Sequence, residues 1–418
     1  MRVCFTNLGC KLNQAEIERL ARDLTAAGHL VVESLEEADL HVINSCTVTH
    51  TAARSSRKAA GRARRAGLPV RTVLTGCHVS EDPEAAARLA GVDLVVPNHE
   101  KDRLVERVHA AFPDAAPEIP VPYVPLPFGP TRALVKVEDG CNMRCSFCII
   151  PATRGRQRSR SVPEVVAEVR ELVRAGYREI VVTGVQISAY RWEEAHLFEL
   201  VRAILAETEV PRLRLTSIAP WDLDERLLTL WEDRRLCRHL HLSLQSGSTA
   251  TLRRMRRPYT AESYLRLLET VHAAIPGAAV TTDVIVGFPG ETGEEFAESL
   301  ATVEAAAFAR VHVFPFSPRP GTEAAGMPGQ VPPEEKKLRM ERMLALAARA
   351  EEDFRRAHLG QRETVLWERP RDGMGHGLTD NYIRVVSPDS AGLWNRFSEV
   401  DLVALAEDGV VGRMGQEK

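Results

Sequence analysis

Cys141, Cys145 and Cys148 stand in a CxxxCxxC array within Cys141-Asn142-Met143-Arg144-Cys145-Ser146-Phe147-Cys148. The array follows a strand-like run, Leu134 to Glu138. Thiolates this close in sequence can grip one metal centre from a single loop. Their number matters more than their spacing. Structural zinc closes with four protein ligands, and so do ordinary iron–sulfur cubanes. Three cysteines on a cubane leave one iron without a protein ligand, open to the nitrogen and oxygen donors of a small molecule. The alternatives for this array alone are a disulfide with a spare thiol, or a zinc site completed by a distant residue.

Three further cysteines are scattered, yet each occupies the same kind of place. Strand-like runs at Val3–Thr6, His29–Ser34, Leu40–Asn44, Val70–Thr75 and Val92–Val95 alternate with helical patterns at Gln14–Ala27, Thr49–Ala66, Pro83–Leu89 and Lys101–Ala111. Such alternation predicts a doubly wound parallel α/β sheet. Cys10, Cys46 and Cys77 each lie just past the carboxyl end of a strand, the edge where open α/β sheets bind ligands. Convergence on that rim predicts a second three-cysteine cluster, against the alternative of three small buried side chains. Cys4, inside a strand, and Cys237, read at a helix end, are expected to be packing residues.

A second run of alternating elements begins at Arg132. Strands are expected at Leu134–Glu138, Glu179–Thr183, Leu213–Thr216, Leu240–Leu244, Val280–Val286 and Val311–Phe316, with helices such as Glu164–Ala175, Leu197–Glu207 and Glu294–Ala307 between them. Six β/α units suit a partial (β/α)6 barrel, with its site at the carboxyl ends of the strands. The CxxxCxxC loop follows the first of these. At other strand ends, Thr183, Gly184, Ser243 and Gln245 are of the right types to hold a small polar ligand, although ordinary turns use the same residues. A charged helix, Pro332–His358, leads to short strands at Glu363–Glu368, Tyr382–Val386 and Val400–Ala406, read as a small OB-like β-barrel. Tyr382, Trp394 and Phe397 there could stack on bases or pack in the core.

The expected divisions are 1–115, a proline-rich linker over 116–131, 132–356 and 357–418. The 418 residues carry a net charge of −3, so nucleic-acid binding must come from local patches. Arg54, Arg57, Lys58, Arg62, Arg64, Arg65 and Arg71 form one such run; Arg154, Arg156, Arg158 and Arg160 form another, beside Cys148, and suggest a phosphate-bearing substrate. Arg253, Arg254, Arg256 and Arg257 form a third, which solvated surface explains equally well. No apolar run reaches the roughly 20 residues of a membrane span. The N-terminus enters a strand pattern at once, and eight cysteines suggest metal or redox chemistry in a reducing, cytoplasmic setting.

CxxxCxxC with Phe147 before its last cysteine resembles the signature of radical SAM enzymes. With Cys10-Lys11-Leu12-Asn13-Gln14-Ala15-Glu16, Asn44-Ser45-Cys46-Thr47-Val48-Thr49 and the tail barrel, the chain is similar to radical SAM methylthiotransferases. Within them it most resembles the branch acting on N6-threonylcarbamoyladenosine at position 37 of tRNA. Asn142, Val79-Ser80, Gln186 and Ser188 depart from commoner family residues. The resemblance implies two [4Fe-4S] clusters, one on Cys141, Cys145 and Cys148 and an auxiliary one on Cys10, Cys46 and Cys77. It implies S-adenosyl-L-methionine (SAM) on the open iron of the first, near Phe147, Thr183, Gly184, Ser243 and Gln245. An adenosyl radical would abstract hydrogen from C2 of the adenine, the second cluster would donate sulfur, and another SAM would supply the methyl group. No side-chain acid or base is implied. The expected partners are the tRNA anticodon loop and an electron-donor protein, with the sulfur source open and no membrane. The rival expectations are methylthiolation of isopentenyl-adenosine or of a ribosomal-protein aspartate, and a zinc-stabilised RNA-binding protein without activity.

Overall fold

The computed structural model describes residues 1–115, 131–390 and 392–415. The proline-rich linker expected over 116–131 lies outside the described residues except for Thr131.

Strands β1 (Arg2–Asn7), β2 (Leu30–Val32), β3 (Leu40–Ser45), β4 (Arg71–Gly76) and β5 (Leu94–Val96) form one parallel sheet in the order β2-β1-β3-β4-β5. Every residue of β3 is buried, as a central strand covered on both faces requires. The order reverses between β1 and β3, and such a switch leaves a crevice at the carboxyl ends. Helix α1 (Lys11–Ala26) follows β1, and α2 (His50–Ala60) follows β3. Thr49 caps α2 by accepting the Ala52 N–H. The helix expected to run on to Ala66 breaks at Gly61, and a separate turn, Arg62–Arg65, follows.

The second unit has strands β6 (Arg132–Lys136), β7 (Glu179–Thr183), β8 (Arg212–Leu215), β9 (His239–His241), β10 (Ala279–Val286) and β11 (Arg310–Pro315). β6-β7-β8 and β9-β10-β11 are parallel runs, joined by bridges from Leu213 to Leu236 and Ile218 to Leu242. The result is a six-stranded barrel left open between β6 and β11. Outer helices α3 (Val162–Arg174), α4 (Leu197–Glu207), α5 (Ala261–Ala274) and α6 (Gly293–Ala305) cover it. α5 was not expected, although Thr260 and Ser263 form the reciprocal cap that announces its start. Cys237 lies in the short link into β9, buried, and not at a helix end as expected; Cys4 is a buried packing residue of β1.

Helix α1 covers the barrel's open side at β6. Ala15 packs on Leu134 and Val181, and the Glu18 carboxylate accepts the Leu134 N–H at 3.0 Å. An edge strand's free amide is thus satisfied by a side chain from the other unit. After α7 (Pro333–Ala357), the tail forms a closed barrel of β12 (Arg362–Trp367), β13 (Gly375–Leu378), β14 (Arg384–Ser387), β15 (Phe397–Ala406) and β16 (Gly409–Met414), in the order β12-β13-β14-β16-β15. β13 was hidden among glycines, but Gly377 is obligatory there: a Cβ would lie 2.8 Å from the Leu366 carbonyl. The tail docks on the base of the larger barrel, where Arg214 donates to the Asp380 carbonyl at 2.8 Å and Arg238 pairs with Asp380 and Glu363.

Candidate functional site

The carboxyl ends of β1, β3 and β4 deliver the three scattered cysteines to one place. Gly9, at φ 128°, lets the chain turn so tightly that a Cβ would sit 3.2 Å from the Cys46 sulfur. Gly76, at φ 102°, has no room for a side chain beside the Ser45 backbone and Asn44. Cys10 immediately precedes α1, Cys46 is buried beyond β3, and Cys77 opens a helical turn after β4. Each of the three thiols lies within electrostatic range of another of the set. Desolvation raises the Cys10 thiol and pushes Cys46 up to about 11, although the Cys10 residue as a whole is exposed, and a metal would have to displace these protons.

The CxxxCxxC loop is fixed just as firmly. Cys141 N–H donates to the Gly155 carbonyl at 3.1 Å, and Ser146 donates through Oγ to Arg254 and through its N–H to Met255. Phe147 packs edge-on against Phe288, with ring centroids 6.3 Å apart. Cys148 is pushed up to about 12 by burial. All eight cysteines are free thiols.

Three of the six cysteines, drawn from both trios, border one chamber, and Cys77, Cys141 and Cys145 lie outside its lining. A cavity of about 500 Å³ is lined by Cys10 and Cys46 from the first unit, and by Phe147, Cys148, Gln245 and Asp283 from the second. That size suits a small organic ligand. Val48 and Phe314, large apolar side chains on its wall, are 46% and 42% exposed, a surface an aromatic ring could cover. Arg319 clamps the far side by donating to the Thr47 carbonyl at 2.6 Å, beside Cys46. Among the described residues, no three His, Cys, Asp or Glu side chains are grouped to hold a single metal ion. Cys10, Cys46 and Cys148 on the chamber wall are thiols, the donor type that an iron–sulfur cubane takes at its corners.

Of the residues expected to hold SAM, Phe147 and Gln245 line this chamber. Gln245 takes a left-handed φ of 66°, a strain of roughly 1–3 kcal/mol, held by its N–H to Asp283 and its carbonyl to Ile285, both at 2.8 Å. Ser243 turns toward His241, 3.4 Å away. Thr183 is buried against Thr216 and contributes to the barrel's interior hydrogen bonding. Gly184 abuts Glu138, where a Cβ would be 2.7 Å from the carboxylate. Glu138 itself escaped the sequence reading. It lies three residues before Cys141, accepts the Gln186 N–H, leaves Oε1 buried without a partner, and is pushed up to about 8 by burial. Strand-end position was its only signal.

Of the arginines beside Cys148, Arg154 is internal and Arg160 half-buried, whereas Arg156 and Arg158 are exposed. Arg154 is 3% exposed and donates to Glu16, Asp139 and Asn13; Arg158 pairs with Asp139, and Arg160 with Glu168. The phosphate-seeking role expected of the run is therefore corrected for Arg154, whose charge is spent joining the two units; Arg158 and Arg160 pair within the second unit, and Arg156 makes no ion pair among the described residues. In the third run, Arg254 pairs with Glu295 and Arg256 with Glu323. The first run differs: Arg54, Arg57, Lys58, Arg62 and Arg64 are exposed and make no ion pair among the described residues. Tyr382 offers no face to a base, because His239 stacks on it at 4.8 Å and Arg214 lies 4.7 Å from its ring centroid. Trp394 is 40% exposed, and Phe397 is covered by Arg212.

The radical SAM superfamily matches residues 135–303, and the uncharacterized protein family UPF0004 matches residues 2–97. The threonylcarbamoyladenosine tRNA methylthiotransferase MtaB of Bacillus subtilis is 36% identical over 92% of this chain and 90% of its own length. The tRNA-2-methylthio-N(6)-dimethylallyladenosine synthase of Anaeromyxobacter sp. is 36% identical over 90% of this chain and 85% of its own. Among solved structures, the radical S-adenosylmethionine methyltransferase TsrM of Kitasatospora setae superposes with a TM-score of 0.58 at 18% identity, covering 78% of this chain and 77% of that one. At that identity the likeness is one of fold.

Proposed function

The chain belongs to the radical SAM methylthiotransferase family, and from that premise we propose that it adds a methylthio group to C2 of N6-threonylcarbamoyladenosine beside the anticodon of tRNA. One observation carries the reading: Cys10, Cys46 and Cys148, members of two separate trios, border a single chamber. A reaction that joins a radical-generating centre to a sulfur-donating one needs both within reach of one substrate carbon.

Cys141, Cys145 and Cys148 would hold one [4Fe-4S] cluster with SAM at its open iron, and Cys10, Cys46 and Cys77 the other. When bound, these groups supply one-electron cleavage of the SAM sulfonium and a sulfur atom for transfer. The protein's own contribution is placement. Phe147 and Gln245 bound the chamber beside Cys148, where SAM would lie; Thr183, Gly184 and Ser243 sit at other strand ends, outside the chamber's lining. The unpartnered Glu138 oxygen is suited to accept an ammonium hydrogen bond. Val48, Phe314 and Phe316 add apolar lining to the chamber, which favours a stacked base and excludes water. A base next to the anticodon sits in a single-stranded loop, so turning it into the chamber costs little. The exposed basic face of α2, whose first turn borders the chamber, suits the phosphates that flank such a base. The electron must come from outside, which calls for a donor protein.

The test is nucleoside analysis of tRNA from a deletion strain. Loss of 2-methylthio-N6-threonylcarbamoyladenosine and its return on complementation support the reading; an unchanged level refutes it. A second reading, action on dimethylallyladenosine, is favoured by relatives of that name at equal identity, and loss of that nucleoside instead would select it. No helix among the described residues is long and apolar enough to cross a membrane.

A further inference from the structure

A second cavity, of about 380 Å³, lies against the first residue of α1, between the base of the larger barrel and the tail. Its walls carry five cationic side chains, Lys11, Arg132, Arg214, Arg369 and Arg371, against one lining carboxylate, Glu368. Glu179 stands behind, already engaged by Arg132 and Arg214 at 2.8 and 2.9 Å. Arg132 pairs with Glu368 as well, yet keeps Nη2 buried without a partner. Lys11 makes no ion pair among the described residues; its ammonium rests 5.3 Å from the Tyr382 ring centroid. So much uncompensated positive charge, partly shielded from water, favours an anionic group.

The place of Lys11 narrows the choice of anion. It follows Cys10, which borders the reaction chamber, and its charge is felt by Asp283, on the same chamber's wall. The two cavities share no lining residue and meet in sequence at Cys10-Lys11, so a substituent on the amino nitrogen of a base held in the chamber would come to Lys11 on leaving it past Cys10. The threonylcarbamoyl group ends in a free carboxylate; the dimethylallyl group is a branched hydrocarbon with no charge. We propose that Lys11, with Arg371 of the same cavity, forms a carboxylate subsite that reads the threonylcarbamoyl group and rejects uncharged adenosine substituents. The inference rests on the proposed function and names the residues that set its selectivity. A phosphate of the RNA backbone shares the same chemistry, and the experiment separates the two.

The reconstituted full-length enzyme is assayed on anticodon stem-loops carrying threonylcarbamoyladenosine, its neutral carboxamide analogue, or dimethylallyladenosine. Lys11→Met is expected to lower kcat/KM on the carboxylate RNA by on the order of ten- to a hundredfold, and to leave the low rate on the carboxamide RNA unchanged. Lys11→Arg should restore most of the loss, and Arg371→Gln should show a smaller loss with the same selectivity. Iron content and visible spectrum matching the parent show that the Cys10 cluster is intact in each variant. An equal loss on all RNAs would assign Lys11 to a phosphate and overturn the proposal, as would no loss on any. If the parent enzyme itself ignores threonylcarbamoyl RNA and acts on dimethylallyl RNA, the functional reading fails instead, whatever the variants do.

Discussion

Glu18 shows how one side chain couples titration to docking. It is buried, accepts the Leu134 N–H and the Gln14 amide, and burial raises its carboxyl to about 7. The folded chain therefore binds a proton that the unfolded chain has released between about pH 4.5 and 7. Stability is full below that window and falls as pH rises through it, by about 3 kcal/mol at most. Glu18→Gln removes the titration, and Gln14 can flip its amide to serve the new partner. Thermal melts should show the variant losing less between pH 5 and pH 8 than the parent, with the higher midpoint at pH 8. A pH profile parallel to the parent's would place the charge elsewhere. At this scale the sequence was informative wherever residue type and local position sufficed. Cys10, Cys46 and Cys148, singled out by type and by their place past strand ends, do come to the wall of one chamber. Glu138 did not, because a carboxylate at a strand end looks the same whether its oxygen is paired or orphaned. Arg154 and Arg160 misled because density reveals charge and not partner; Glu16 and Glu168 belong to other elements.

Among elements, the junction of α1 with the CxxxCxxC strand governs the rest. Arg154 and Glu16 are both almost wholly buried, with Lys101, Lys136 and Asp139 closing the network. Asn13 ties that network to Cys10, and Asn98 reaches Cys77 at 3.7 Å while also donating to the Thr153 carbonyl. One guanidinium thus holds together the loops that carry both cysteine trios. Removing one member of a buried charge network strands the others, at roughly 3–5 kcal/mol. Arg154→Met should speed hydrogen exchange along α1 and β6 while leaving the tail barrel's exchange unchanged; exchange unaltered at α1 would show that apolar packing alone holds the junction. Elements with strong periodicity were legible, Glu179–Thr183 and Leu197–Glu207 to the residue. Strands of the tail barrel were less so, since Gly375–Leu378 is selected for close approach and not for side-chain packing.

At the scale of the whole molecule, charge is arranged against a nearly neutral total. The basic run from Arg54 to Arg64 is exposed and without ion pairs among the described residues, so RNA affinity should depend on it. Replacing Arg54, Arg57 and Lys58 with Gln should weaken tRNA binding about equally for all sequences, and flatten the slope of log affinity against log salt by roughly one for each phosphate no longer neutralised. A changed preference among tRNAs with an unchanged slope would mean these residues read bases. The overall plan, sheet then barrel then tail, was readable from alternating patterns. How the units meet was not, because the Lys11 cavity gathers residues from positions 11, 132, 214 and 371, which no local window contains.

The larger barrel never closes on itself; its gap at β6 is stopped by a helix borrowed from the preceding unit. The width of the chamber is therefore a property of a seam, not of either half. Descendants of such a chain can admit bulkier or slimmer guests by sliding that seam, while both sets of thiol anchors stay untouched.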